Sequence, residues 1–442
     1  MEQKYARTDV AVVGGGISGL TAAFFLALGG VEVTLFEKAP TVGGRAATRE
    51  SGGFLFNRGI HALYTGGAAS LAFEELGVSY GRGTPKDTFA LDGGELRPFP
   101  TRPSQFLRTD LLGVGDEVEL VRIFAALGRA KPRDLAGTSL REWLDAKARR
   151  PRVRRLMESV AYPLVYTSAL DLVSAEVFVD KSQRALKHPI HYVDGGWQVL
   201  VDGLREVAER AGSRVVDDAR VEAVEVGDGR ARGVRLRDGS VVRASAVVLA
   251  TGPRDASKLV GGGEHPALRR LVDRLIPARV ACLDVALGSL PSPDVPVVQD
   301  LDGPRFMTAQ SLYSRVAPEG GALVYTFKQL DPRTPGDPRE DERDLEALLD
   351  AAQPGWRDVL VDRQYLPRIE AVGALPTAES GGFAGRPRPR APGLEDLYLA
   401  GDWVGPEGFL VDASVASARN AARLVLEDDP LVRREVTAGS AR

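Results

Sequence analysis

Cysteine is nearly absent from this chain: Cys282 is the only one among 442 residues. A single thiol excludes an internal disulfide and a cysteine-rich metal site. It stands in the apolar run RVACLDVAL, where it reads as a small buried hydrophobe. Histidine is scarce too. His61, His188, His191 and His265 show no metal-binding spacing, and Pro189 spoils a helical pairing of the middle two. Charge of one sign is not in excess. A net charge of -3 leaves no electrostatic footprint for nucleic acid. Long apolar runs are missing; those present are too short or too polar to span a bilayer. No leader precedes the first strand-like run, so a cytoplasmic location is expected, with peripheral membrane contact left open. HExxH and the GxSxG elbow are absent as well, which removes two hydrolase readings. What remains is an ordinary globular composition, 44% apolar and 26% charged, with room for two or three domains.

What the chain does have is glycine in the right places. Thr8 to Val13 is a short apolar run that reads as a buried parallel strand. Gly14, Gly16 and Gly19 follow in GxGxxG spacing. The first glycine permits a tight turn, the second lets backbone approach a pyrophosphate, and the third lets the next helix pack close. Ile17 to Leu28 reads as that helix, and its first turn, with Ile17 and Ser18, offers N–H groups to phosphate. Val31 to Phe36 is the next strand. Glu37, followed by Lys38, ends it at the distance where an acid binds ribose hydroxyls and repels a 2′-phosphate. These features together predict a dinucleotide site.

Gly43-Gly44-Arg45 comes next, then GGFLFNRGIHALY; near the other end stands LYLAGDWVGPEGFLVDASVASARNAARLVL. With these segments the chain resembles the FAD-dependent amine oxidase, phytoene desaturase and protoporphyrinogen oxidase superfamily. The resemblance implies non-covalent FAD, since no cysteine precedes the last helix. It implies that Gly44 and Arg45 meet the diphosphate, and that Gly401 and Asp402 meet the ribityl and phosphate part. Gly59, Ile60 and His61 lie beside the flavin ring, with Asn57 where aspartate is common. His61 is the candidate to orient substrate or move a proton. The backbone of Leu410, Val411 and Asp412, opening a helix over Asp412 to Leu426, faces the flavin N1–C2=O edge. Val221 meets adenine, and Ala250, Thr251 and Gly252 lie near the diphosphate.

The expected fold is therefore α/β: a discontinuous Rossmann-like FAD-binding domain of the glutathione reductase type, beside a mixed sheet and helical substrate domain. Residues 1–83, 191–262 and 394–442 are assigned to the first. Residues 84–190 are expected as a helical cap, with helices over Asp116 to Gly128, Ser139 to Arg149 and Arg152 to Val160. Residues 263–393 are expected as a sheet with helices, its strands in RVACLDVALG, PRFMTAQSL and GALVYTFKQL. LRPFPTRPSQFL reads as a loop into the cap, and FAGRPRPRAPG as a solvated connector. Tyr162, Tyr166, Phe178 and Trp197 are candidate cavity residues. Amine oxidases of the resembled group place a lysine near flavin N5. The corresponding run VACLDVALGSL has none, and Lys328 is not obviously equivalent.

The reading that follows is an FAD-dependent desaturase or dehydrogenase acting on a hydrophobic or secondary-metabolite small molecule. An oxygen-using amine or amino-acid oxidase, a non-redox flavin isomerase and a non-catalytic binding protein of the same fold remain as alternatives. Substrate, electron acceptor and oligomeric state are not legible in the sequence.

Overall fold

An apolar run without alternation is stable only as a strand covered on both faces. In the computed structural model, which describes residues 7–100 and 110–428, that run is the strand Arg7–Val13. Its side chains alternate between two cores. Val10 and Val12 pack under helices, while Ala11 and Val13 face the opposite layer. Val33–Phe36 and then Arg214–Val216 extend the sheet in parallel on one side. Val241–Leu249 and then Leu397–Leu399 extend it in parallel on the other. The strands Val221–Gly227 and Arg230–Leu236 add an antiparallel meander to Val241–Leu249. Helices Ile17–Leu28, Gln198–Arg210 and Val411–Asp428 pack together on the first face. This is the Rossmann-like layer, built from both ends and the middle of the chain.

A second sheet runs in the order Leu360–Val372, Ala278–Leu287, Ala322–Gln329, Arg305–Thr308, Val297–Asp300, Phe89–Asp92, Glu95–Pro98. Helix Pro338–Ala352 covers one face with Leu345, Leu348 and Leu349. The other face meets helices Val114–Arg129, Leu140–Lys147, Pro151–Val165 and Ala175–Lys187 in one large apolar core. Ser139 and Glu142 form a reciprocal box at the start of Leu140–Lys147: the Ser139 hydroxyl accepts the Glu142 N–H, and the Glu142 carboxylate accepts the Ser139 N–H.

Three local expectations change. Residues 84–190 do not open with a helix: two strands, Phe89–Asp92 and Glu95–Pro98, join the second sheet first. Leu360–Val372 is a strand that its sequence hides, because charged residues and Pro367 interrupt it. It is an edge strand with register shifts against Ala278–Leu287, where a missing N–H is tolerated. The third cap helix runs through Pro163 to Val165, since a proline near the helix end forfeits a single hydrogen bond. Most of the expected proline-rich loop, residues 101–109, lies outside the described residues.

Candidate active site

Strands Arg7–Val13 and Val241–Leu249 lie side by side where the sheet order reverses, and ligands of such sheets bind beyond the strand ends at that point. A cavity of about 830 Å³ opens there. Gly14, Gly16, Ile17 and Ser18 line it from the first turn, and Glu37 and Lys38 from the end of the second strand. Gly44, Arg45, Gly59, Ile60 and His61 follow from the next segment, and Val221, Ala250, Thr251 and Gly252 from the middle of the chain. Gly401, Asp402, Leu410, Val411 and Asp412 close it from the C-terminal part. Gly19 is the one expected cofactor-binding residue outside the wall. A Cβ at Gly19 would lie 1.8 Å from the Gly14 carbonyl oxygen, so its role is close packing of helix on strand.

The wall fits a dinucleotide. Helix Ile17–Leu28 starts at Gly16 with no side-chain cap and no acid in its first turn. Its open N–H groups and positive dipole end therefore suit phosphate. The Glu37 carboxylate is anchored, accepting the Gly15 N–H at 2.7 Å and the Ala39 N–H at 2.8 Å. Its remaining lone pairs suit ribose hydroxyls. Arg45 and Asp402 meet each other: a bidentate pair at 2.9 and 2.6 Å ties the two ends of the chain across the groove. Asp402 also accepts the Gly373 N–H at 2.9 Å. Burial pushes the Asp402 carboxyl up, but the Arg45 charge and these hydrogen bonds prevail and hold it below the usual range.

At the C-terminal edge of the cavity, Leu410 takes a left-handed backbone with φ 56° just before helix Val411–Asp428. Asp412 reaches across to helix Ala68–Glu75. That helix begins at Gly67, which has no side chain to cap it, and Asp412 Oδ1 accepts the Ala69 N–H at 3.0 Å instead. The fit is tight: a Cβ at Gly67 would sit 2.3 Å from the Asp412 carboxylate. His61 Nδ1 donates to the Gly59 carbonyl at 2.9 Å, and the ring stands edge-on to Trp197 at 4.8 Å. Burial pushes its pKa below the ordinary value, against the carbonyls of Gly59 and Arg45, so the ring is neutral near pH 7. Asn57, where aspartate is common, serves as an acceptor. Its Oδ1 takes the Trp197 N–H at 3.0 Å and the Thr48 hydroxyl at 2.8 Å.

The cavity continues past the nucleotide groove between Tyr64, Tyr166, Val280, Cys282, Ile369 and Phe409. Of the aromatic candidates, Tyr166 and Trp197 line it; Tyr162 and Phe178 do not, and Phe178 packs on Trp143 in the cap core. Lys328 is not part of the cavity wall. It pairs with Asp341 at 2.9 Å and Asp344 at 2.5 Å on the far helix. Besides Lys38 and Lys258, the cavity wall includes Lys181, which sequence reasoning missed. The readable signal was its place on the apolar stripe of helix Ala175–Lys187, one turn from Val177 and Phe178. Arg386 was also misjudged. In place of a solvated connector, its guanidinium is buried and donates to the carbonyls of Asp402, Glu407 and Gly408.

Among the described residues no helix is long and apolar enough to cross a membrane, and no cluster of histidine, cysteine and acids is arranged for a metal.

Similar proteins carry flavin and redox names. The 4,4'-diapolycopen-4-al dehydrogenase of Metabacillus indicus is 24% identical over 90% of this chain and 93% of its own. The zeta-carotene-forming phytoene desaturase of Myxococcus xanthus is 29% identical, with the match spanning 54% of this chain and 52% of that protein. In fold, an oxidoreductase from Methanosarcina mazei superposes with a TM-score of 0.77 at 19% identity, over 94% of this chain and 100% of its own. The model of the flavin containing amine oxidoreductases matches residues 17–426, so the chain belongs to that family and its cofactor is FAD.

Proposed function

We propose that this FAD-dependent oxidoreductase is a desaturase or dehydrogenase that takes a hydride from a carbon of an apolar small molecule. One observation supports the reading above others. The chamber beyond the nucleotide groove is walled by Tyr64, Tyr166, Phe409, Val280 and Ile369, and the strand that supplies Val280 to it carries no lysine. Apolar walls hold a hydrocarbon substrate and exclude water. Bound FAD supplies a two-electron acceptor for the hydride. The chain does the rest. Gly14, Gly16, the Ile17 and Ser18 N–H groups, and Arg45 hold the diphosphate, and Glu37 the ribose. Backbone groups at Leu410, Val411 and Asp412 hold the flavin edge, and backbone at Val221 the adenine. His61, neutral at the wall, orients the substrate or takes a proton. As the hydride leaves one carbon and a proton its neighbour, the bond between them becomes double.

The test is anaerobic titration of the purified yellow protein with unsaturated hydrocarbons and, separately, with primary amines. Bleaching near ~450 nm by a hydrocarbon, with a product lacking a pair of hydrogens, is expected. Bleaching by amines with ammonia release overturns the desaturase assignment.

A further inference from the structure

Lys181 is 1% exposed, in helix Ala175–Lys187, and its side chain forms part of the cavity wall. Among the described residues no carboxylate pairs with its ammonium, and it donates no hydrogen bond. What it touches is an aromatic face: the nitrogen stands 3.3 Å from the centroid of the Tyr64 ring. The acids around it are engaged elsewhere. Asp180 pairs with Arg184 at 3.0 Å, and Asp412 caps the helix at Ala69. An unpaired ammonium out of water is costly, and a cation–π contact returns only part of that cost. A charge held this way inside a ligand cavity needs its counterpart from the ligand.

We propose that Lys181 is a specificity-determining residue that binds a carboxylate at one end of an otherwise apolar substrate. This rests on the oxidoreductase site described above and narrows its substrate class. The partner is assigned to substrate in preference to the flavin for a positional reason. The opening of helix Val411–Asp428 already offers backbone donors at the cofactor edge, whereas Lys181 comes from the cap and lies on Tyr64. Tyr64, Tyr166 and Phe409 supply the apolar surface for the body of the molecule, and Lys181 the single cationic anchor among them.

The experiment uses purified holoprotein as wild type, Lys181→Met and Lys181→Gln. Benzoate is the probe and benzamide its uncharged counterpart, with binding read from perturbation of the oxidised flavin bands. Benzoate is expected to lose about tenfold or more in affinity in both variants, the size of a charge-assisted hydrogen bond. Benzamide should bind all three proteins alike. Equal benzoate affinity across the three overturns the inference, as does a flavin-loaded wild type that benzoate does not perturb. A flavin midpoint potential that falls in the ligand-free variants also overturns it, because Lys181 would then serve the cofactor. Failure of the desaturase assignment is a separate result. It shows as bleaching by amines and leaves the benzoate comparison intact.

Discussion

Replacing Lys181 by methionine should stabilise the protein. Burial pushes the Lys181 pKa from 10.5 down to about 8, with the Asp412 and Asp180 charges opposing and Arg184 reinforcing the fall. That fall is a penalty of roughly 3 kcal/mol on the charged form. The Tyr64 contact offsets ~1–2 kcal/mol of it, and methionine keeps the volume without the charge. About 1–2 kcal/mol remains at pH 7. For a chain of this length, unfolding entropy scales to about 1 kcal/mol per degree, so the variant should melt about 1–2 °C higher. The pH signature is more telling than the size. Because the folded pKa lies below the unfolded one, the unfolded chain binds the extra proton between about pH 8 and about pH 10.5. The penalty is full below that window and absent above it. The gap between variant and wild type should therefore close as pH rises through the window. Calorimetry of the holoprotein at neutral pH and at the top of the window measures both points. A variant that melts lower at pH 7, or a gap that ignores pH, refutes the picture of an unpaired buried ammonium.

Two further outcomes follow from buried groups outside the cavity. Arg386→Leu strands the carbonyls of Asp402, Glu407 and Gly408 and loses the stacking on Phe383. The cost should be ~2–4 kcal/mol, with a lower ratio of FAD to protein because this loop leads into Leu410. Unchanged melting and full FAD content would count against it. Asp284 is fully buried with Oδ1 unpartnered, and burial pushes its carboxyl well above 3.8. The unfolded chain gives up that proton first, so stability is lost as pH rises above the unfolded value. Asp284→Asn should therefore gain on wild type in thermal melts as pH goes from about 5 to about 8; parallel profiles would contradict the assignment.

That the expected cofactor-binding residues share one groove was legible because the segments that carry them are marked locally. Gly14 to Gly19, Glu37 and Gly401-Asp402 stand at turns, helix starts or strand ends that their own sequence neighbours dictate. Lys181 was not legible in the same way. It is a polar letter on an apolar helical stripe, and only the approach of helix Ala175–Lys187 to the Tyr64 ring turns it into a cavity residue. The edge strand Leu360–Val372 was hidden for a related reason. With one side unpaired it tolerates charge and Pro367, so it lacks the apolar run that marked its neighbours. The same holds for Arg386, whose Pro/Arg surroundings read as solvated connector until the carbonyls of a distant loop close around it.

The bridges across the groove explain how so discontinuous a site is held ready. Gly15 to Glu37, Arg45 to Asp402, Asn57 to Trp197 and Ala69 to Asp412 each join segments far apart in sequence. All four run between groups that are wholly or partly buried, where a hydrogen bond is stronger and its loss leaves an unsatisfied group. Each is made between groups of the chain itself, so the elements that line the groove are tied to one another directly. Lys181 is the exception on the same walls. Among the described residues its ammonium has neither acid nor carbonyl for a partner and rests on the Tyr64 ring. The polar groups of these four bridges are thus paired within the chain, whereas the Lys181 ammonium is not. On the proposal made for Lys181, that asymmetry separates groups that build the groove from one that selects the substrate.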